Sequence, residues 1–166
     1  MEYLPDYYQK DILVLGVGNP LFGDDGFGPA VADELERRGR IPSYAAVLDV
    51  GTGVREILFD LIISSERPKE VVIVDALECG HQPGEIFKVK IDEVPSLKRH
   101  DFSLHLVPSL NLLKELRDDA GVTVTILACQ PEPIPEIVTG GLSAAIVKAV
   151  ENASDFIEQT YFNKAA

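Results

Sequence analysis

The run Ile12-Leu13-Val14-Leu15-Gly16-Val17 leads into Gly18-Asn19-Pro20-Leu21-Phe22-Gly23-Asp24-Asp25-Gly26-Phe27-Gly28, and the reading of these residues decides the fold. A short, nearly continuous apolar run ending at glycine suits a strand buried on both faces, as in a parallel sheet, rather than the alternating strand of a half-exposed one. A glycine-rich loop with two carboxylates follows. Phe27, Ala30, Val31 and Leu35 then recur at helical spacing, with Asp33, Glu36, Arg37 and Arg38 on the other side and Gly39 as a stop.

Working outward, the same alternation continues. Ala45–Val50 reads as a second strand, and Val54, Ile57, Leu58, Leu61 and Ile62 mark a second amphipathic helix. Val71–Val74 is a third strand. Glu85–Ile91 alternates apolar and polar residues after a Pro83-Gly84 turn, which predicts a half-exposed strand; the short return from the third strand makes it antiparallel. Leu106, Leu110, Leu113 and Leu116 form a third helical stripe, Val122–Ala128 a fifth strand, and Ile146 through Tyr161 a long C-terminal helix. The order β-α-β-α-β-β-α-β-α predicts a three-layer αβα sandwich around a mostly parallel five-stranded sheet with one antiparallel strand. A single domain over residues 1–166 is expected, since no repeat, low-complexity tract or linker divides the chain.

The 27 acidic and 15 basic residues give a net charge of -12, which argues against a nucleic-acid partner in the absence of a basic stripe. Residues 1–10 lack the basic and apolar regions of an export signal, and no apolar run approaches a membrane span. A cytoplasmic, monomeric protein is the expectation. The two cysteines, Cys79 and Cys129, form no paired motif and read as reduced packing residues.

In open α/β sheets, ligands collect beyond the carboxyl ends of the strands, so the residues after each strand are the place to look. The opening Gly16-x-Gly18 is no dinucleotide fingerprint: Pro20 and Leu21 follow, and two carboxylates stand where a pyrophosphate would sit. Asp24 and Asp25 precede the first helix. One suits a cap or structural role, assigned to Asp24, and the other, Asp25, is a ligand candidate. Asp75 follows the third strand; alone it would be an ordinary strand-end residue. His81 and His100 fall in polar loops, whereas His105, in Phe102-Ser103-Leu104-His105-Leu106, stands before the leucine stripe and can face the same edge. Two carboxylates and an imidazole form a three-ligand set acceptable to nickel, zinc or another divalent ion. Asp49-Val50-Gly51-Thr52-Gly53 is either a tight turn into the second helix or part of a peptide cleft.

These segments, in order, resemble the endopeptidases that mature nickel–iron hydrogenases, whose signature Gly-x-Gly-Asn … Asp-Asp/Glu-x-x-Gly matches Gly16 to Asn19 and Asp24 to Gly28. The similarity continues through Leu48 to Thr52, Val74-Asp75-Ala76 and Ser103-Leu104-His105, and the Asp-Asp-Gly form is similar to the branch serving coenzyme F420-reducing hydrogenases. The resemblance implies a peptide hydrolase that removes a C-terminal extension from the precursor of the hydrogenase large subunit after nickel insertion. It implies that Asp25, Asp75 and His105 are the catalytic and metal-contacting positions. The nickel is borne by the substrate, and no organic cofactor is implied. Two mechanisms follow: the metal polarises the scissile carbonyl, or the trio reads nickel already in the substrate, which an acidic, half-empty site favours. Asp24 and Asp49 are candidates for the attacking group. A non-cleaving nickel-sensing chaperone, or an α/β hydrolase of another class, is the alternative.

Overall fold

A computed structural model describes residues 5–96 and 109–163. Its five strands are β1 (Ile12–Val17), β2 (Ala45–Gly51), β3 (Glu70–Ala76), β4 (Ile86–Val89) and β5 (Thr123–Cys129). Its four α-helices are α1 (Phe27–Arg38), α2 (Val54–Ile63), α3 (Leu110–Asp118) and α4 (Ala144–Ile157). The strands form one sheet in the order β2-β1-β3-β5-β4, with β4 alone antiparallel.

The apolar runs are continuous because helices cover both faces. Ile12 and Val14 pack toward α1 and α4, whereas Leu13, Leu15 and Val17 pack toward α2 and α3. Val72 and Val74 repeat the first parity and Val71 and Ile73 the second, so two apolar clusters sandwich the sheet. Gly39 ends α1 in the left-handed conformation (φ 65°), and Arg37 and Arg38 sit in the last turn, where the helix dipole favours cations. Arg38 also ties α1 to the C-terminal segment through Asp155 (2.7 Å) and Glu158 (3.2 Å). Beyond α4 the chain widens into a π-turn over Glu158–Phe162. Among the described residues no helix is long and apolar enough to cross a membrane.

Two details differ from the sequence reading. Strand β3 does not stop before Asp75: it runs through Ala76, with Asp75 paired to Ala128 and Ala76 to Cys129 of β5. The antiparallel direction of β4 holds, but its neighbour is β5 and not β3. The connection from β3 to β4 passes over the carboxyl end of β5 instead of folding back on β3. It is pinned there by Leu77 N–H to the Cys129 carbonyl (3.0 Å) and by reciprocal bonds between Gln130 and the Gly84–Glu85 segment (2.8 and 2.9 Å). That path leaves the slot beside β3 open for β5, which enters parallel after α3. Of the Leu106 to Leu116 stripe, Leu106 lies outside the described residues; Leu113 and Leu116 are buried as expected.

Candidate functional site

Four segments meet beyond the carboxyl ends of the strands: 18–26 after β1, 51–53 after β2, 77–81 after β3 and 130–143 after β5. Two glycines let them converge. A Cβ on Gly16 would stand 2.4 Å from the Gly28 carbonyl oxygen, and one on Gly28 would stand 2.2 Å from the oxygen of Val17 and 2.4 Å from that of Val74. The start of α1 therefore rests directly on the ends of β1 and β3, a contact that only glycine permits. The turn just before it, Gly23–Gly26, carries both aspartates and packs against β3.

The two aspartates divide their work. Asp24 (4% exposed) accepts hydrogen bonds from the backbone N–H of Ser143 (2.7 Å) at Oδ1, and from the N–H of Glu132 (3.0 Å) and the Ser143 hydroxyl (2.8 Å) at Oδ2. It does not cap α1, whose N-cap is Gly26 and which has no side-chain cap bond. It clasps instead the loop 130–143 and the residue preceding α4. Asp25 (6% exposed) accepts the Asn19 N–H at Oδ2 (2.9 Å), while Asn19 Oδ1 accepts from Leu21 N–H (3.0 Å), so the loop folds around it. Asp75 has no exposed surface at all (0%). Burying two carboxylates at one sheet edge carries a desolvation cost that helix capping would not require.

Asp25 and Asp75 are thus brought to the same edge, on a turn and a strand that touch. His105, the third member of the expected trio, lies outside the described residues, as does His100. Among the described residues no group of three or more His, Cys, Asp and Glu side chains is placed to hold a metal ion. His81 is exposed, as its polar loop implies, with its ring stacked on Phe87 (4.1 Å between centroids) and its Nδ1 facing Glu85 at 3.0 Å. Asp49 is exposed, opposite Gly16, and its Oδ1 accepts the Gly51 N–H (3.0 Å) across a bulge that shifts the β1–β2 register. Gly51 takes a left-handed φ of 54°, and its carbonyl accepts the Gly18 N–H (2.9 Å), so the 49–53 turn does close onto the first loop.

Sequence reasoning missed Gln130. Its buried side chain accepts the N–H groups of Cys79 (2.9 Å) and His81 (3.1 Å) at Oε1 and donates to Glu78 (2.6 Å) and the Pro131 carbonyl (3.2 Å) from Nε2. A polar residue directly after β5, at the edge where ligands collect, was the available signal. The cysteines also stand nearer the site than their spacing suggested. Burial, helped by the negative charge of Asp24, pushes the Cys129 thiol up to about 12, and burial with Glu78 nearby pushes Cys79 up to about 11. Neither supplies a thiolate near neutral pH.

The clasp by Asp24 makes a prediction. Asp24→Ala leaves two part-buried backbone donors and the Ser143 hydroxyl without their acceptor and should lower stability by about 2 kcal/mol. Denaturant unfolding measures the loss, and amide exchange at Glu132 and Ser143 should accelerate more than in the core strands. Unchanged exchange there would contradict the assignment.

A family model described as hydrogenase maturation protease matches residues 29–160. The chain belongs to the hydrogenase maturation protease family. Over 151 residues it is 38% identical to a Methanocaldococcus jannaschii protein provisionally named a hydrogenase maturation protease, covering 90% of this chain and 95% of the relative. The delta subunit of the coenzyme F420 hydrogenase of Methanothermobacter thermautotrophicus is 34% identical over 154 residues (90% and 94% covered). Among solved structures, the hydrogenase maturating endopeptidase HybD from Escherichia coli superposes with a TM-score of 0.70 at 28% identity, over 89% of this chain and 90% of that one. Sequence and fold agree that this maturation protease is an endopeptidase on a three-layer α/β scaffold.

Proposed function

We propose that this maturation protease removes the C-terminal extension of a nickel–iron hydrogenase large-subunit precursor, and that Asp25, Asp75 and His105 read nickel already carried by that substrate. The chain acts in this reading as a single-domain monomer spanning residues 1–166. The observation that carries it is the pair of buried carboxylates, Asp25 and Asp75, at the carboxyl edge of adjacent strands. Two hard oxygen donors joined by an imidazole make a set suited to a divalent ion of nickel's character. Positions left open in a three-ligand set let it engage an ion held by another protein.

Of the two carboxylates considered for attack on the peptide bond, Asp24 is committed through both oxygens to Ser143 and Glu132, which leaves the exposed Asp49 as the candidate base for water. The test is to incubate the purified protein with nickel-loaded and nickel-free precursor and to follow C-terminal mass. Shortening confined to the loaded precursor is the expected result. Equal shortening of both would overturn nickel reading. A stable complex with no shortened product would assign the chain a chaperone's part instead.

A further inference from the structure

The loop 130–143 presents an apolar surface that none of the described residues covers. Ile137 (75% exposed), Val138 (67%), Leu21 (55%) and Ile134 (38%) all face solvent there. Leu21 joins the loop through a short parallel bridge, with Thr139 N–H donating to the Leu21 carbonyl (2.8 Å) and Gly23 N–H donating to the Thr139 carbonyl (2.7 Å). The bridge sets Leu21 beside the Ile137–Thr139 stretch, and Ile134 is exposed on the same loop. Exposed apolar clusters of this kind mark interaction surfaces.

Three properties say what the patch takes. It is held ready, because Pro131, Pro133 and Pro135 alternate through the segment and Asp24 clasps both of its ends, so little ordering is left for the moment of binding. The segments that build it carry negative charge alone. Glu132 and Glu136 are exposed within it, and no Lys or Arg occurs from Asp118 to Val147 or from Asp11 to Glu36, the two stretches that build it. It is also continuous with the candidate site, since the bridge at Phe22 lies three residues before Asp25 on the same turn.

We infer that Leu21, Ile134, Ile137 and Val138 form the docking surface for a segment of the substrate protein that is apolar and flanked by basic side chains. This rests on the function proposed above and places the substrate's contact beside, not within, the carboxylate pair. Apolar contact supplies the affinity and the glutamates steer encounter. The surface fixes which chain is presented to the site, while the chemistry stays with the residues of the strand ends.

Ile137→Asp and Val138→Asp alter exposed side chains and should leave the fold intact; Phe59→Asp and Ile63→Asp, on the equally exposed face of α2, serve as controls. With the nickel-loaded precursor, the patch variants should raise KM by about 10-fold or more while kcat stays within about twofold, and should weaken binding in a cleavage-independent assay by a like factor. Glu136→Lys should slow association and flatten its dependence on ionic strength. Wild-type KM and binding in both patch variants, with the wild type cleaving normally, would overturn the docking surface and leave the protease reading standing. Absence of both cleavage and binding in the wild type would overturn the two together. A wild-type dimer in sedimentation that Ile137→Asp dissolves would give the patch to a second copy of this chain and also refute the proposal.

Discussion

Asp25→Asn and Asp75→Asn are each expected to slow processing of nickel-loaded precursor by at least about 100-fold, a loss of about 3 kcal/mol or more in transition-state stabilisation. Asparagine keeps the size of the side chain and, at position 25, keeps an oxygen that can accept the Asn19 N–H. The loop should therefore survive while the charge is removed. Circular dichroism and denaturant midpoints near wild type, beside lost processing, would separate a chemical role from a structural one. His105→Ala belongs to the same series and should give the same loss. Three variants that process at the wild-type rate would show that the trio is not the working centre.

The second large effect concerns packing. Gly28→Ala should destabilise the fold by more than about 3 kcal/mol, because the nearest atoms the added methyl meets are backbone atoms of β1 and β3. Alanine's better helix propensity would return at most about 1 kcal/mol, so the steric term decides the sign. Gly39→Ala is the useful contrast: nothing lies within 4 Å of its Cβ position, and only the left-handed φ resists it. That change should cost about 1 kcal/mol. Thermal or urea unfolding of both variants measures the difference, and a Gly28→Ala chain as stable as wild type would contradict the close seating of α1 on β1 and β3.

What the sequence made legible follows from what periodicity encodes. The bounds of β1 and the stop of α1 at Gly39 were readable because burial on two faces and a left-handed terminus leave local marks. The place of β4 was not, because strand direction follows from the return while the neighbouring strand depends on where β5 later inserts. Asp75 was recognisable as an edge residue, yet its inclusion in β3 was hidden, since a charge after four aliphatic residues looks like an end. The roles of Asp24 and Asp25 could be separated only loosely from sequence: Asp24 was assigned a structural part, but its partner Ser143 stands 119 residues away. Gln130 could be noticed only by its place after β5; its role was hidden for the same reason, being defined by backbone donors about fifty positions upstream. The position of His105 falls outside the described residues, and its part rests on the resemblance and on the family.

The sheet order also bears on when activity can arise. β1 and β3 are neighbours although α1, β2 and α2 intervene between them, and β5 completes the edge only after α3. Parallel pairings of this separation are slow to form, because loop closure must precede the contacts that reward it. The turn at Asp24 gains its final hold only when Ser143 arrives, late in the chain. A chain in which β5 and Ser143 are not yet in place therefore lacks the assembled edge. The loop that carries the aspartates is thereby held by a residue more than a hundred positions downstream, which makes the working edge a property of the assembled sheet and of no single segment.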